Sequence, residues 1–180
     1  MHSPRSILED TDWARPGHAY GVATDTPDRL MELLDPRPHV QAHALAQLDM
    51  SVLHQDSLYS ATAPAALFIA GVLTGPRTDA PHESAFPWDE RTRPLRASLI
   101  AWLGRVGDAA TYGEGDDTEP FEDEDERNAV LACREIRADL AVAITPFLDA
   151  RERPVRDAAH IAHTRLAAPT KQHPTPDDPH

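Results

Sequence analysis

Between Thr26 and Leu73 the chain reads TPDRLMELL, a DPRP turn, HVQAHALAQLDMSVL, a linker HQDSLYSATAP and then AALFIAGVL. Thr26 followed by Pro27 is a helix start, because a hydroxyl can cap orphan N–H groups and proline suits the first helical position. Leu30, Leu33 and Leu34 follow at helical spacing, and Asp35-Pro36 ends the run. The second helix carries Val40, Ala44, Leu45, Leu48 and Val52 on one stripe, with His39, Gln41, His43, Gln47 and Asp49 facing elsewhere. Each helix has one apolar side and cannot bury it alone. The stretch therefore predicts helix hairpins that need stacking neighbours.

Downstream the pattern returns in altered form. Ala65, Leu67, Phe68, Val72 and Leu73 begin a second unit that breaks at Gly75-Pro76. Its returning helix starts near Thr92, has Pro94 in its first turn, and gathers Leu95, Leu99, Trp102, Leu103 and Val106. A third unit places Val130, Cys133, Ile136, Leu140, Ile144 and Phe147 on a helical period, with Pro146 re-registering its end. Pro154 then opens a helix through Val155, Ala159, Ala162 and Leu166. The expected fold is all-α: an α-α superhelix of about three helix pairs over residues 12–168, with inserted loops at 77–91 and about 107–122. Residues 1–11 read as a flexible N-terminus and 169–180 as a disordered tail. Asp12 could cap a short helix through Trp13 and Tyr20 that closes one end of the core, although Pro16 and Gly17 interrupt it. At 41% hydrophobic but only 6% aromatic residues, the composition suits Ala/Leu-rich helices better than a β-sandwich.

With these residues in view, the chain resembles HEAT-repeat proteins. The pattern of helix, Leu-Leu-Asp, Pro-rich turn and Val-Arg-x-x-Ala helix is carried by LLDPRPHVQAHAL at 33–45 and FLDARERPVRDAA at 147–159. Asp149 and Arg156 fall on the positions whose pairing braces the turn in that family; at the first turn Asp35 is present and Gln41 stands in place of the Arg. The segment 54–73 is similar to a linker-and-helix of small bacterial HEAT-like proteins without an assigned activity. The resemblance implies a solenoid. Proteins of that kind include immunity partners of secreted toxins, DNA glycosylases and bilin lyases.

The net charge of −13 narrows the choice, since a chain of that sign repels phosphate backbones and anionic membranes. Nine acids lie between Glu114 and Glu126 with no Lys or Arg among them, and without those nine the net charge is −4. That run reads either as a solvated loop or as an element steering a basic partner, with Asp116, Asp117, Glu122 and Asp123 as contacts. A Ca²⁺ loop is disfavoured because the Asp-x-Asp-x-Asp-Gly spacing is missing. Phe86 and Trp88 in the first insertion are candidate interface anchors, and equally able to fold back over the helices.

His39 and His43, four apart, and His160 and His163, three apart, could each share a metal. Neither pair has the third and fourth ligands a zinc site wants, so surface histidines are the expectation, with no metal and no cofactor. His54, Gln55, Tyr59 and Thr62 in the linker read as partners for orphan helix-end groups rather than as a catalytic set. The lone Cys133 excludes an internal disulfide framework, and no apolar run reaches membrane-spanning length, which points to a cytoplasmic chain. The functional expectation is a non-enzymatic protein-protein interaction module, in its narrow form an immunity-type inhibitor of a basic protein. The alternative, a HEAT-like DNA glycosylase, needs a basic groove with Trp102 exposed in it.

Overall fold

The computed structural model describes residues 3–82, 92–111, 121 and 124–167. Among these the chain is mostly helical, with seven α-helices: α1 (Pro4–Asp10), α2 (Thr26–Glu32), α3 (Pro38–Ser51), α4 (Thr62–Val72), α5 (Leu95–Ala109), α6 (Glu124–Ile144) and α7 (Arg153–Ala167). Two antiparallel ribbons of two residues per strand complete it. In the first, β1 (Gly17–His18) pairs with β2 (Gly21–Val22); in the second, β3 (Pro81–His82) pairs with β4 (Arg93–Pro94). The residues expected to form helices from 65 to 73 and from 95 to 106 do so, without strands, although α4 already begins at Thr62, inside the expected linker, and ends at Val72.

The N-terminal expectation is corrected. Residues 4–10 form α1, capped by Ser3, whose Oγ accepts the Ser6 N–H at 3.1 Å, with Pro4 in the first turn. Ile7 buries α1 against α4, where Gly71 leaves room for the Pro4 ring: a Cβ there would meet the ring at 2.7 Å. No helix runs from Trp13 to Tyr20. Pro16 and Gly17 break it, and Gly21, at φ +123°, turns the chain into the first ribbon. Trp13 does close the core, with Nε1 donating to the Leu8 carbonyl at 3.3 Å, whereas Tyr20 is exposed.

Helix α2 starts one residue earlier than its Thr-Pro signal implies. Asp25 holds the N-cap position without a side-chain cap, and its carboxylate bonds His18 Nε2 at 3.0 Å instead. In α3 the polar-face assignment of Gln41 is also overturned, because Gln41 is fully buried. Its Nε2 donates to the carbonyls of Leu33 at 3.0 Å and Arg77 at 3.1 Å. The two other returning helices carry a donor at the matching place. Arg96 Nε donates to Leu73 O at 2.6 Å, and Arg156 Nη1 to Ala150 O at 2.8 Å. Each hairpin thus sends one long donor from the returning helix to carbonyls at its turn, joined in the second hairpin by the Thr78 hydroxyl at 2.9 Å from Leu73 O.

Helix α4 is buried on nearly every side rather than on one face, since α1, α2, α5 and α6 all pack on it. Helices α5 and α7 approach each other closely through two glycines. A Cβ on Gly104 would stand 2.8 Å from that of Ala162, and one on Gly107 2.6 Å from Leu166. Helix α5 continues through Ala109, so the second insertion begins later than the expected residue 107. Acidic residues Glu124, Asp125 and Glu126 occupy the first turn of α6, where they suit the helix dipole.

Cys133 points into this core, fully buried, and burial pushes its thiol up to about 12. The native protein is therefore expected to resist a disulfide thiol probe at pH 8 and to react fully once unfolded in urea, so that labelling tracks unfolding. Rapid labelling of folded protein would contradict the packing of α6.

Candidate binding site

The linker that joins α3 to α4 departs most from ordinary backbone. Gln55 (φ 53°, ψ 36°) and Asp56 (φ 61°) are consecutive left-handed residues, and neither is glycine. The turn is closed by Asp56 N–H to Leu53 O at 3.2 Å and Ser57 N–H to His54 O at 2.9 Å. Its far end is pinned by Thr62, whose hydroxyl donates to Val52 O at 2.6 Å and accepts the Tyr59 N–H at 2.9 Å. Thr62 is not the cap of α4 that its place before Pro64 implies, since Ala61 holds that position; its hydroxyl instead ties the end of α3 to the linker. The first ribbon is stitched on by Gly17 N–H to Ser60 Oγ at 2.8 Å and Ala61 N–H to Gly17 O at 3.1 Å. Since a left-handed residue other than glycine carries about 1–2 kcal/mol of strain, Gln55→Gly is expected to stabilise the fold by a few tenths to about 1 kcal/mol after the entropy cost of glycine. Gln55→Val is expected to destabilise it; urea unfolding of both variants reads the difference.

The strained turn presents Asp56 to Arg105 of α5. Arg105 Nε donates to Asp56 Oδ1 at 2.7 Å, and Nη1 bonds Asp49 Oδ1 of α3. One guanidinium thus ties α3, the linker and α5 together. Burial pushes the Asp49 carboxyl upward against the pull of Arg105. Arg105 is itself desolvated, yet the two carboxylates hold it firmly charged. Beside this cluster opens a cleft of about 690 Å³, within the size range of small-ligand sites. Its walls come from the linker (Leu58), the end of α5 (Asp108), the start of α6 (Glu126, Val130), Phe121 and Arg165 of α7. Asp49 and Arg105 are 56 positions apart, and no local spacing signals that they meet.

A second cluster also escapes the sequence. Ser98 Oγ lies 2.9 Å from His82 Nε2 and accepts the Arg93 Nε–H at 2.7 Å, so its own proton can point at the imidazole. A serine–histidine pair at this distance has the geometry of a nucleophile and its base. Both side chains are buried, at 7% and 3% exposure, and His82 and Arg93 have further interactions. The group anchors the second ribbon to α5.

Of the residues singled out from sequence, His39 and His43 are exposed on α3. Among the described residues no group of three or more His, Cys, Asp or Glu gathers around one point. Phe86, Trp88, Asp116, Asp117, Glu122 and Asp123 lie outside the described residues. The expected Asp149–Arg156 brace is corrected. Arg156 reaches the turn through the carbonyls of Ala150, at 2.8 Å, and Arg151, at 3.4 Å, not through Asp149. At the first turn Asp35 is bound instead by Arg37, whose side-chain and backbone N–H groups hold its carboxyl well below the usual range. Trp102, the aromatic on which the glycosylase alternative depends, is 3% exposed.

No described helix is long and apolar enough to cross a membrane. Comparison with protein-family models, curated proteins and solved structures found no match.

Proposed function

We propose that this chain is a non-enzymatic protein-binding module built as a short HEAT-like α-solenoid, in its narrowest form an immunity-type inhibitor of a basic protein. The observation that carries the reading is the order of packing. The first helices of the three hairpins touch in sequence, α2 on α4 and α4 on α6, and the returning helices touch likewise, α3 on α5 and α5 on α7. Helices of one hairpin also pack on each other, as stacked helix-pair repeats require. The repeated donor from each returning helix to the preceding turn supports the same reading. A stack of this kind offers a continuous helical surface, and the chain's net charge of −13, carried mostly by the acidic run at 114–126, steers cationic proteins towards it.

The test is affinity capture from the native cell with the full chain as bait, followed by titration of the captured protein. The expected partner is cationic, binds with micromolar or tighter affinity, and loses affinity as salt rises. Neutralising Asp116, Asp117, Glu122 and Asp123 together is expected to weaken the complex; unchanged affinity would remove the electrostatic argument. Capture of no specific protein would remove the reading itself.

A further inference from the structure

We infer that the cleft beside the Gln55–Asp56 turn is a socket for a guanidinium on an alkyl stem, presented as an arginine side chain by the basic partner. This rests on the protein-binding reading above and names the place on the chain where that partner is gripped. Charge and shape both favour such a guest. The lining holds three carboxylates, Asp56, Asp108 and Glu126, against two cations, Arg105 and Arg165. Arg105, the better paired of the two cations, is not available to an anionic guest. Arg105 spends its donors on Asp56 and, behind the wall, on Asp49, so two carboxylates answer one guanidinium. An incoming anion would have to displace Asp56 from Arg105 at 2.7 Å.

The Arg165–Asp108 pair is loose by comparison, at 3.9 Å with the Asp108 side chain 61% exposed. An entering guanidinium can take the Asp108 carboxylate in a bidentate grip that Arg165 does not make. Leu58, Ala109, Phe121 and Val130 add apolar lining that suits a methylene stem below a charged head. Helix α5 also ends at this cleft, with its carbonyl pole there; Arg134 Nε bonds the Ala110 carbonyl at 2.8 Å, an example of the contact a guanidinium makes at that helix end.

The probe is agmatine, a butyl guanidinium with an ammonium tail, titrated into the full chain at low salt and followed by amide NMR. Saturable shifts are expected at residues 55–58, 105–111 and 126–130. Asp108→Asn is expected to weaken agmatine by about fivefold, the scale of one partly exposed ion pair. Asp139→Asn, on an exposed stretch of α6 away from the cleft lining, is expected to change nothing. Wild-type thermal unfolding in both variants shows that each is folded. The same Asp108→Asn change is expected to weaken the captured basic protein. If agmatine neither saturates nor shifts the cleft, the socket is overturned, while capture of a cationic protein with undiminished affinity for Asp108→Asn keeps the module reading. If Asp108→Asn weakens agmatine but leaves the captured protein untouched, the assignment to a partner's arginine is overturned in favour of a free small cation.

Discussion

Gly104→Val is expected to be among the most damaging single substitutions in this protein. The position lies mid-way along α5, where that helix touches α7 backbone to backbone. Even a methyl group there would stand 2.8 Å from the Ala162 Cβ and 2.9 Å from its Cα, inside any tolerated contact. Neither neighbour is the end of a flexible side chain, so the strain can be relieved only by moving α5 away from α7. Overpacking of this kind costs typically about 1–3 kcal/mol. The branched valine belongs at or above the upper end of that range. For a chain of this size about 3 kcal/mol corresponds to a fall of roughly 6–12 °C in melting temperature. Gly104→Ala is expected to show the same effect in smaller measure. Gly17→Ala, where the nearest atom to an added Cβ is 3.5 Å away, is expected to cost far less. Thermal unfolding of the three variants decides the matter, and equal melting temperatures would mean that α5 and α7 do not meet in this way.

Arg96→Ala carries the second large effect. Its guanidinium donates to Leu73 O at 2.6 Å and Gly75 O at 3.1 Å, and pairs with Asp79. It also lies 5.2 Å from the centre of the Phe147 ring in the next hairpin's turn. The side chain is only 14% exposed, so its removal leaves the carbonyls at the end of α4 to Thr78 alone, strips Asp79 of its partner and exposes the ring. Hydrogen bonds to charged groups are worth about 1.5–3 kcal/mol each. A total loss of about 3 kcal/mol in urea unfolding is expected. Arg96→Lys is expected to recover less than half of it, because one ammonium cannot span two carbonyls, a carboxylate and a ring face. A loss below about 1 kcal/mol would show that the turn satisfies its carbonyls by other means.

These two positions differ in how they could be read from the chain. Arg96 follows Pro94-Leu95 much as Arg156 follows Pro154-Val155 and Gln41 follows Val40, so its place near the start of a returning helix is visible in sequence. Its role is not, since the Asp–Arg brace implied by the resemblance is replaced by donors to carbonyls. Gly104 gives no local signal. A glycine inside a helix looks only like a weakness until the helix that presses on it is known.

The sequence by itself determined the all-α class, the places where most helices begin and end, and the apolar stripes they bury. Those properties depend on periodicity, proline and caps within a few residues, and local chemistry suffices for them. The tertiary structure alone decided that residues 4–10 are helical, that Gln41 is buried, and that Asp49, Asp56 and Arg105 converge beside a cleft. It also decided that Trp102 faces the core. Each of these depends on which distant segment supplies the neighbour, and a period of 3.6 residues says which side of a helix is covered, never by what.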